Sequence, residues 1–329
     1  MVNRLSLRLI IGILLFALTI HTAFTKDPEE RLFEAARFGD SADVHAAIQS
    51  GAEVDAVKAG GQTALMMAAL SNDTAVVETL LKLGADAAYR DKSGWSALVH
   101  AARRGEPAMV EALVRHGANL DARTRVGEKS DYTPLIFAAG DNDAAMVEAL
   151  IRLGADVNAS SEFGETALTR AAARNDAAVA KTLIDQGADV GARTRNGFST
   201  LHFAARSNDP AMGRLLIASG ADVDARTDSG STSLDIAARN DDLPMAETLI
   251  EHGADLSLPD EDGWTPLLTA ARYSDAAMVE ALLDAGADPS VQTERGRTAA
   301  ELAAAYNSKV RSSAVYSRLQ KGSGRDASD

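Results

Sequence analysis

A Gly-Ala-Asp/Asn/Glu ending returns at a fixed interval along this chain. It reads Gly51-Ala-Glu, Gly84-Ala-Asp, Gly117-Ala-Asn, Gly154-Ala-Asp, Gly187-Ala-Asp, Gly220-Ala-Asp, Gly253-Ala-Asp and Gly286-Ala-Asp. The steps are 33 residues except one of 37. A second signal runs in phase: Thr63-Ala-Leu, Ser96-Ala-Leu, Thr133-Pro-Leu, Thr166-Ala-Leu, Ser199-Thr-Leu, Thr232-Ser-Leu, Thr265-Pro-Leu and Thr298-Ala-Ala. Two motifs locked to one period restrict the chain to a stacked repeat, in which each unit buries its apolar face only against its neighbours. Such a molecule works through a long surface, not one enclosed site.

A chain of 329 residues would otherwise be expected to form about two domains. A stack grows by addition, so the repeat overrides that expectation. Hydrophobic residues make up 46% and aromatics only 5%, which fits thin helical layers built from Ala and Leu. The absence of cysteine excludes disulfides and thiolate metal sites. A net charge of −14 argues against nucleic acid and anionic lipid as main partners.

Residues 1–25 stand apart. Arg4 and Arg8 precede an apolar run from Leu9 to Ile20, and His21-Thr-Ala-Phe-Thr25 leads into Lys26-Asp-Pro. This pattern predicts a secretory signal peptide. The uncharged stretch 9–25 also approaches the length of a membrane span, so an uncleaved anchor stays open. Either way the repeats are expected to be exported, since positive charge precedes the apolar run. Loss of Arg4 and Arg8 would take the net charge from −14 to −16. A periplasmic location is the leading expectation, with secretion or inner-membrane anchoring as alternatives.

Within one repeat, Thr63 is suited to cap a helix, because its hydroxyl can accept from a free backbone N–H. Sister repeats place Pro134 and Pro266 next, the favoured first helical residue. An Ala-Ala pair follows at helical spacing, as in Ala68-Ala69 and Ala204-Ala205, and small residues there allow close helix packing. A tight turn comes next: Asn72-Asp, Gly105-Glu, Asn142-Asp, Asn175-Asp, Asn208-Asp, Asp241-Asp and Ser274-Asp. Gly and Asn tolerate a left-handed backbone, and the acid after them suits the start of a second helix. The recurring Gly of Gly-Ala-Asp stops that helix, and a polar connector able to form a hairpin leads to the next repeat.

These residues resemble the ankyrin repeat. The family's Gly-x-Thr-Pro-Leu-His opening is matched by Gly263-Trp-Thr-Pro-Leu-Leu and loosely by Gly197-Phe-Ser-Thr-Leu-His, and its Gly-Ala-Asp-Val-Asn ending by Gly154-Ala-Asp-Val-Asn. The resemblance implies an all-α solenoid of stacked helix-turn-helix units, with β-hairpin-like fingers and a concave binding face built from fingers and first helices. We count about nine repeats over 29–320. Glu29 to Asp55 reads as the first cap. The last cap runs from Gly296 to about Gln320, with a polar second helix from Ser308 to Gln320. Residues 321–329 read as a disordered tail.

No catalytic constellation emerges. The six histidines do not fall at metal-ligand spacing, and His202 takes a structural position common in the family. The carboxylates are periodic, as in Glu78, Glu111, Glu148, Glu247 and Glu280, and make a solvated face. No phosphate loop or dinucleotide fingerprint occurs. The expectation is a non-enzyme without cofactor or metal.

What remains is surface. In the ankyrin reading, His100, Phe137, Arg170 and Phe203 face the groove. After the Ala-Ala pairs come Arg103, Arg206, Arg239 and Arg272, then Arg104, Arg174 and Tyr273. Arg and aromatic residues anchor protein interfaces. The same arginines are common in the family for stacking alone, so both roles stay open. Phe163 at a finger tip, Arg125 beside the insertion and Arg195 on a finger complete the candidate set. The stretch Val126 to Asp131, where the repeat runs four residues longer than its sisters, could be a harmless loop or part of the binding face. The sequence therefore predicts a monomeric scaffold that binds another protein. A membrane-tethered organiser and a subunit of an enzyme complex are the alternatives.

Overall fold

The computed structural model describes residues 27–322 apart from 105, 126–130 and 142. The expected signal segment, most of the 126–131 insertion, the turn residues Gly105 and Asn142, and residues 323–329 lie outside the described residues. The chain divides into two compact units between Ala122 and Arg123.

The first unit contains three helix pairs among its described residues. They are α1 Pro28–Phe38 with α2 Ser41–Gln49, α3 Ala64–Leu70 with α4 Thr74–Lys82, and α5 Ala97–Arg104 with α6 Pro107–Arg115. The second unit opens with β1 Thr124–Arg125, antiparallel to β2 Asp131–Tyr132. Then come α7 Pro134–Gly140 with α8 Ala144–Arg152, α9 Ala167–Arg174 with α10 Ala177–Asp185, and α11 Thr200–Arg206 with α12 Pro210–Ala218. They are followed by α13 Ser233–Asn240 with α14 Leu243–Glu251 and α15 Pro266–Tyr273 with α16 Ala276–Asp284. The unit closes with α17 Ala299–Tyr306, α18 Ser308–Arg311 and α19 Tyr316–Gly322.

Within each unit, first helices pack on first helices and second helices on second helices. The mostly helical stack with short fingers is the fold class expected from the repeat. The Ala pairs lie at the contact between first helices; Ala68, Ala69, Ala204 and Ala205 are fully buried. A larger side chain there would overpack the layer at a cost of about 1–3 kcal/mol.

Capping explains why such short helices start where they do. Thr63, Thr133, Thr166, Thr232 and Thr298 each accept from the backbone N–H three residues on. Asp73, Asp143, Asp176, Asp209 and Asp242 do the same for second helices. Each cap contributes about 1 kcal/mol. Between the helices, Asn72, Asn175, Asn208 and Asp241 take the left-handed backbone, with φ between 57° and 62°.

Two expectations fail. Ser274 is extended, with φ −104° and ψ 174°, and Asp275 makes no cap. There the Ser274 hydroxyl donates to the Ala238 carbonyl, and the Asn307 amide donates to the Ser274 carbonyl at 2.7 Å. Links to neighbouring repeats thus replace the local turn. The expected helix from Ser308 to Gln320 is also broken, into α18 and α19. The Ser312 and Ser313 hydroxyls bond back to the Lys309 and Val310 carbonyls, a local alternative to helix bonding. The break lets Val315 and Leu319 bury in the last layer. Lys321 and Gly322, expected in the tail, complete α19.

The fingers are minimal. Single antiparallel bridges close them at Val57–Thr63, Ser160–Thr166, Arg193–Ser199 and Gln292–Thr298. In the second unit they are joined tip to tip. The N–H groups of Arg195, Asp228 and Glu261 donate to the carbonyls of Phe163, Asn196 and Ser229 at 2.8–3.0 Å. Arg226 reaches from the Gly230 carbonyl to that of Pro259.

Candidate protein-binding surface

In each unit the exposed ends of the first helices carry arginines over aromatic rings. In the first unit, Trp95 at a finger base stacks on His100, with centroids 5.0 Å apart and 22° between planes. The Arg103 guanidinium lies 5.5 Å from the Trp95 ring centre. His100 is 8% exposed, so it forms part of the floor and is not presented as expected. Burial, against a smaller opposing effect of Asp91, pushes His100 down to about 4, so the ring is neutral at pH 7. Arg103 and Arg104 are exposed.

In the second unit, Phe137 is also buried, packed edge-on against Tyr132 at 5.4 Å. Tyr132 covers it, so it is not presented in the groove as expected. Arg170 is half-buried, 5.5 Å over the Tyr132 ring and 3.9 Å from Glu165. The Tyr132 hydroxyl donates to Glu165. Burial first, then that bond, pushes Tyr132 up to about 12. Gly140 occupies the position that carries Arg103, Arg206, Arg239 and Arg272 in other repeats, and a Cβ there would meet the Arg170 guanidinium at 3.2 Å.

Further along, Phe163, Phe198, Phe203, Arg195 and Arg206 come together around a cleft of about 270 Å³. Phe163 is 38% exposed. Arg195 pairs with Glu162 at 3.4 Å. Arg174, Arg206 and Arg125 are exposed. Beyond the cleft, Arg239 lies 5.6 Å over Tyr273. Arg272 sits between three rings, Trp264, Tyr273 and Tyr306, at 5.4, 5.0 and 4.6 Å. Arg297 donates to the Tyr306 hydroxyl at 2.7 Å.

Tyr306 and Arg297 were missed by the sequence reading, although the position of Tyr306 relative to Thr298 matches that of Tyr273 relative to Thr265. Phe38, 77% exposed at the end of α1, occupies the same position in the first pair and was missed likewise. The second-helix carboxylates Glu148, Glu247 and Glu280 are exposed on the other layer.

Among the described residues, no three His, Asp or Glu side chains gather as metal ligands would. No described helix is long and apolar enough to cross a membrane.

The sequence matches a family profile described as ankyrin repeats (3 copies) over residues 32–124, 122–194, 172–260 and 234–312. No curated relative matches the chain. With helix pairs, Ala-Ala layers and finger hairpins in phase with that match, the chain belongs to the ankyrin-repeat family.

Proposed function

We propose that the protein is an exported, non-catalytic scaffold of nine repeats that binds a partner protein on the face formed by fingers and first-helix ends. Ankyrin repeats are protein–protein interaction scaffolds, and the family assignment supports that much directly. The observation that supports the chosen face is the arginine–aromatic edge, above all Arg272 among Trp264, Tyr273 and Tyr306. Stacking fixes the guanidinium planes before binding and so reduces the ordering cost, while their N–H edges stay able to grip carboxylates. The second helices instead carry periodic glutamates on an acidic chain.

Charge reversal tests this. Arg103, Arg206, Arg239 and Arg272 changed to Glu are expected to weaken partner binding at least about tenfold, a loss typical of interface arginines. Reversal of Glu78, Glu148 and Glu280 is expected to act only through the screened long-range field. Circular dichroism checks that both variants remain helical. Unchanged binding by the arginine variant, with loss in the glutamate variant, would move the interface to the second helices.

Export rests on the basic start and apolar run of residues 1–25. The mass of the mature N-terminus separates release near Lys26 into the periplasm or medium from retention as a membrane-tethered organiser. The protein is proposed to act as a monomer, which sedimentation would check.

A further inference from the structure

We propose that the cleft between fingers 161–165 and 194–198 anchors the partner by taking one aromatic or large aliphatic side chain next to a carboxylate in the partner's chain. This rests on the protein-binding reading above and names what that face recognises.

Two features shape the cleft, and the first sets it apart from the sister repeats. Its finger tip carries Phe163 where sister fingers carry Ser93, Asn196, Ser229 and Asp262. No packing demand of the fold explains an aromatic there, because the sisters fold with polar residues at that site. Its finger base carries Glu165, without a ring, where Trp95, Tyr132, Phe198 and Trp264 stand in four sisters and Gln62, Ser231 and Arg297 in three. The missing base ring leaves open space, and Phe163, Phe198 and Phe203 wall it. Phe198 and Phe203 are 6.0 Å apart at 46°. The Phe163 carbonyl is held at 2.8 Å by the Arg195 N–H, so the tip is set before binding. A volume of about 270 Å³ falls below the roughly 300–1,000 Å³ of small-molecule sites and suits a single anchor side chain.

Charge then selects the neighbour. Glu165 is engaged by the Tyr132 hydroxyl and Arg170, and Arg195 by Glu162. Arg206 is exposed and makes no hydrogen bond or ion pair among the described residues. Arg239 and Arg272, by contrast, lie over tyrosine rings. The uncommitted charge at the cleft is therefore a guanidinium beside apolar walls, on a chain whose net charge is −14. A partner carboxylate complements it and can bond it through two N–H groups.

The test is selection from a display library of random short peptides on the full chain, with Phe163→Ser and Arg206→Glu variants as comparators. Phe163→Ser installs a sister finger's residue, and circular dichroism confirms that both variants fold. The enriched peptides should carry Phe, Tyr, Trp or Leu within two residues of Asp or Glu. Each variant should weaken them at least about tenfold. Replacing the peptide carboxylate by Lys should restore binding to Arg206→Glu. No enrichment, or binding indifferent to both variants, overturns the proposal. If such indifferent peptides lose binding on reversal of Arg239 and Arg272, the face still binds protein and only the cleft assignment fails. If they ignore those changes too, the face itself is wrong.

Discussion

The neighbouring stretches 199–220 and 232–253 place His202 and Asp235 at the same slot, the third residue of the first helix, in very different company. His202 Nδ1 accepts from the Ser199 backbone N–H at 3.1 Å, and its Nε2–H donates to the Ser231 carbonyl at 3.1 Å. The neutral ring is satisfied at both nitrogens. Asp235 Oδ2 accepts from the Thr232 N–H and hydroxyl at 2.8 and 2.9 Å, but its Oδ1 is buried with no partner. The slot needs a group that takes the cap N–H. An imidazole does this uncharged, whereas a carboxylate must keep a charge out of water or take up a proton. Outside the frame the contrast reverses: Arg206 is uncommitted, while Arg239 lies over Tyr273. The period fixes the buried frame, and the variable columns set what each repeat presents.

Glycine substitutions should split this frame most sharply. Gly197 at a finger tip and Gly220 at a helix stop both have positive φ, 76° and 97°. A Cβ at Gly220 meets nothing, but at Gly197 it would lie 2.7 Å from the Asp228 backbone nitrogen. Gly220→Val should cost about 1–2 kcal/mol through backbone strain. Gly197→Val should add about 1–3 kcal/mol of overpacking. Urea midpoints measure both, and equal losses would show that the fingers yield freely.

The two slots should next give opposite pH dependences. Burial raises Asp235 from 3.8 to about 6, so its stabilising protonation is complete below pH 3.8 and is lost as pH rises through 6. Burial lowers His202 from 6.5 to about 4, so its contribution is present above pH 6.5 and is lost as pH falls through 4. Each amounts to about 3 kcal/mol. Asp235→Asn should therefore stabilise the protein at pH 7 and do little at pH 3.5. The same gain at both pH values would mean that charge burial is not the cause.

Smaller effects follow at the second-helix caps. Asp209→Ala should cost about 1 kcal/mol, as an ordinary cap does. Asp242→Ala should cost less, since it also removes a buried Oδ2 without a partner. Thermal melts would rank the two. Smallest should be Asp228→Ala at an exposed tip, under about 0.5 kcal/mol. A larger loss would show that the side chain helps to hold one finger to the next.

The frame was legible because periodic chemistry dictates it. The cap hydroxyls, Ala pairs and stopping glycines act locally, so their spacing alone gives the helix pairs. The Ser274 turn was not legible, because its conformation follows bonds to Ala238 and Asn307, more than thirty residues away in each direction. His100 and Phe137 were read as presented groups, yet Trp95 and Tyr132 fold over them. Helical spacing gives the direction of a side chain but not what lies on top of it. The cleft was half visible: Phe163 stood out, while its meeting with Phe198 and Arg206 depends on how adjacent fingers sit.

Amide hydrogen exchange of the chain alone and bound to its partner tests the binding face most directly. The binding face proposed above requires added protection in the finger and first-helix stretches 161–165, 194–206 and 264–273. Protection confined to the second helices 144–152, 210–218 and 276–284, with the fingers unchanged, would contradict it.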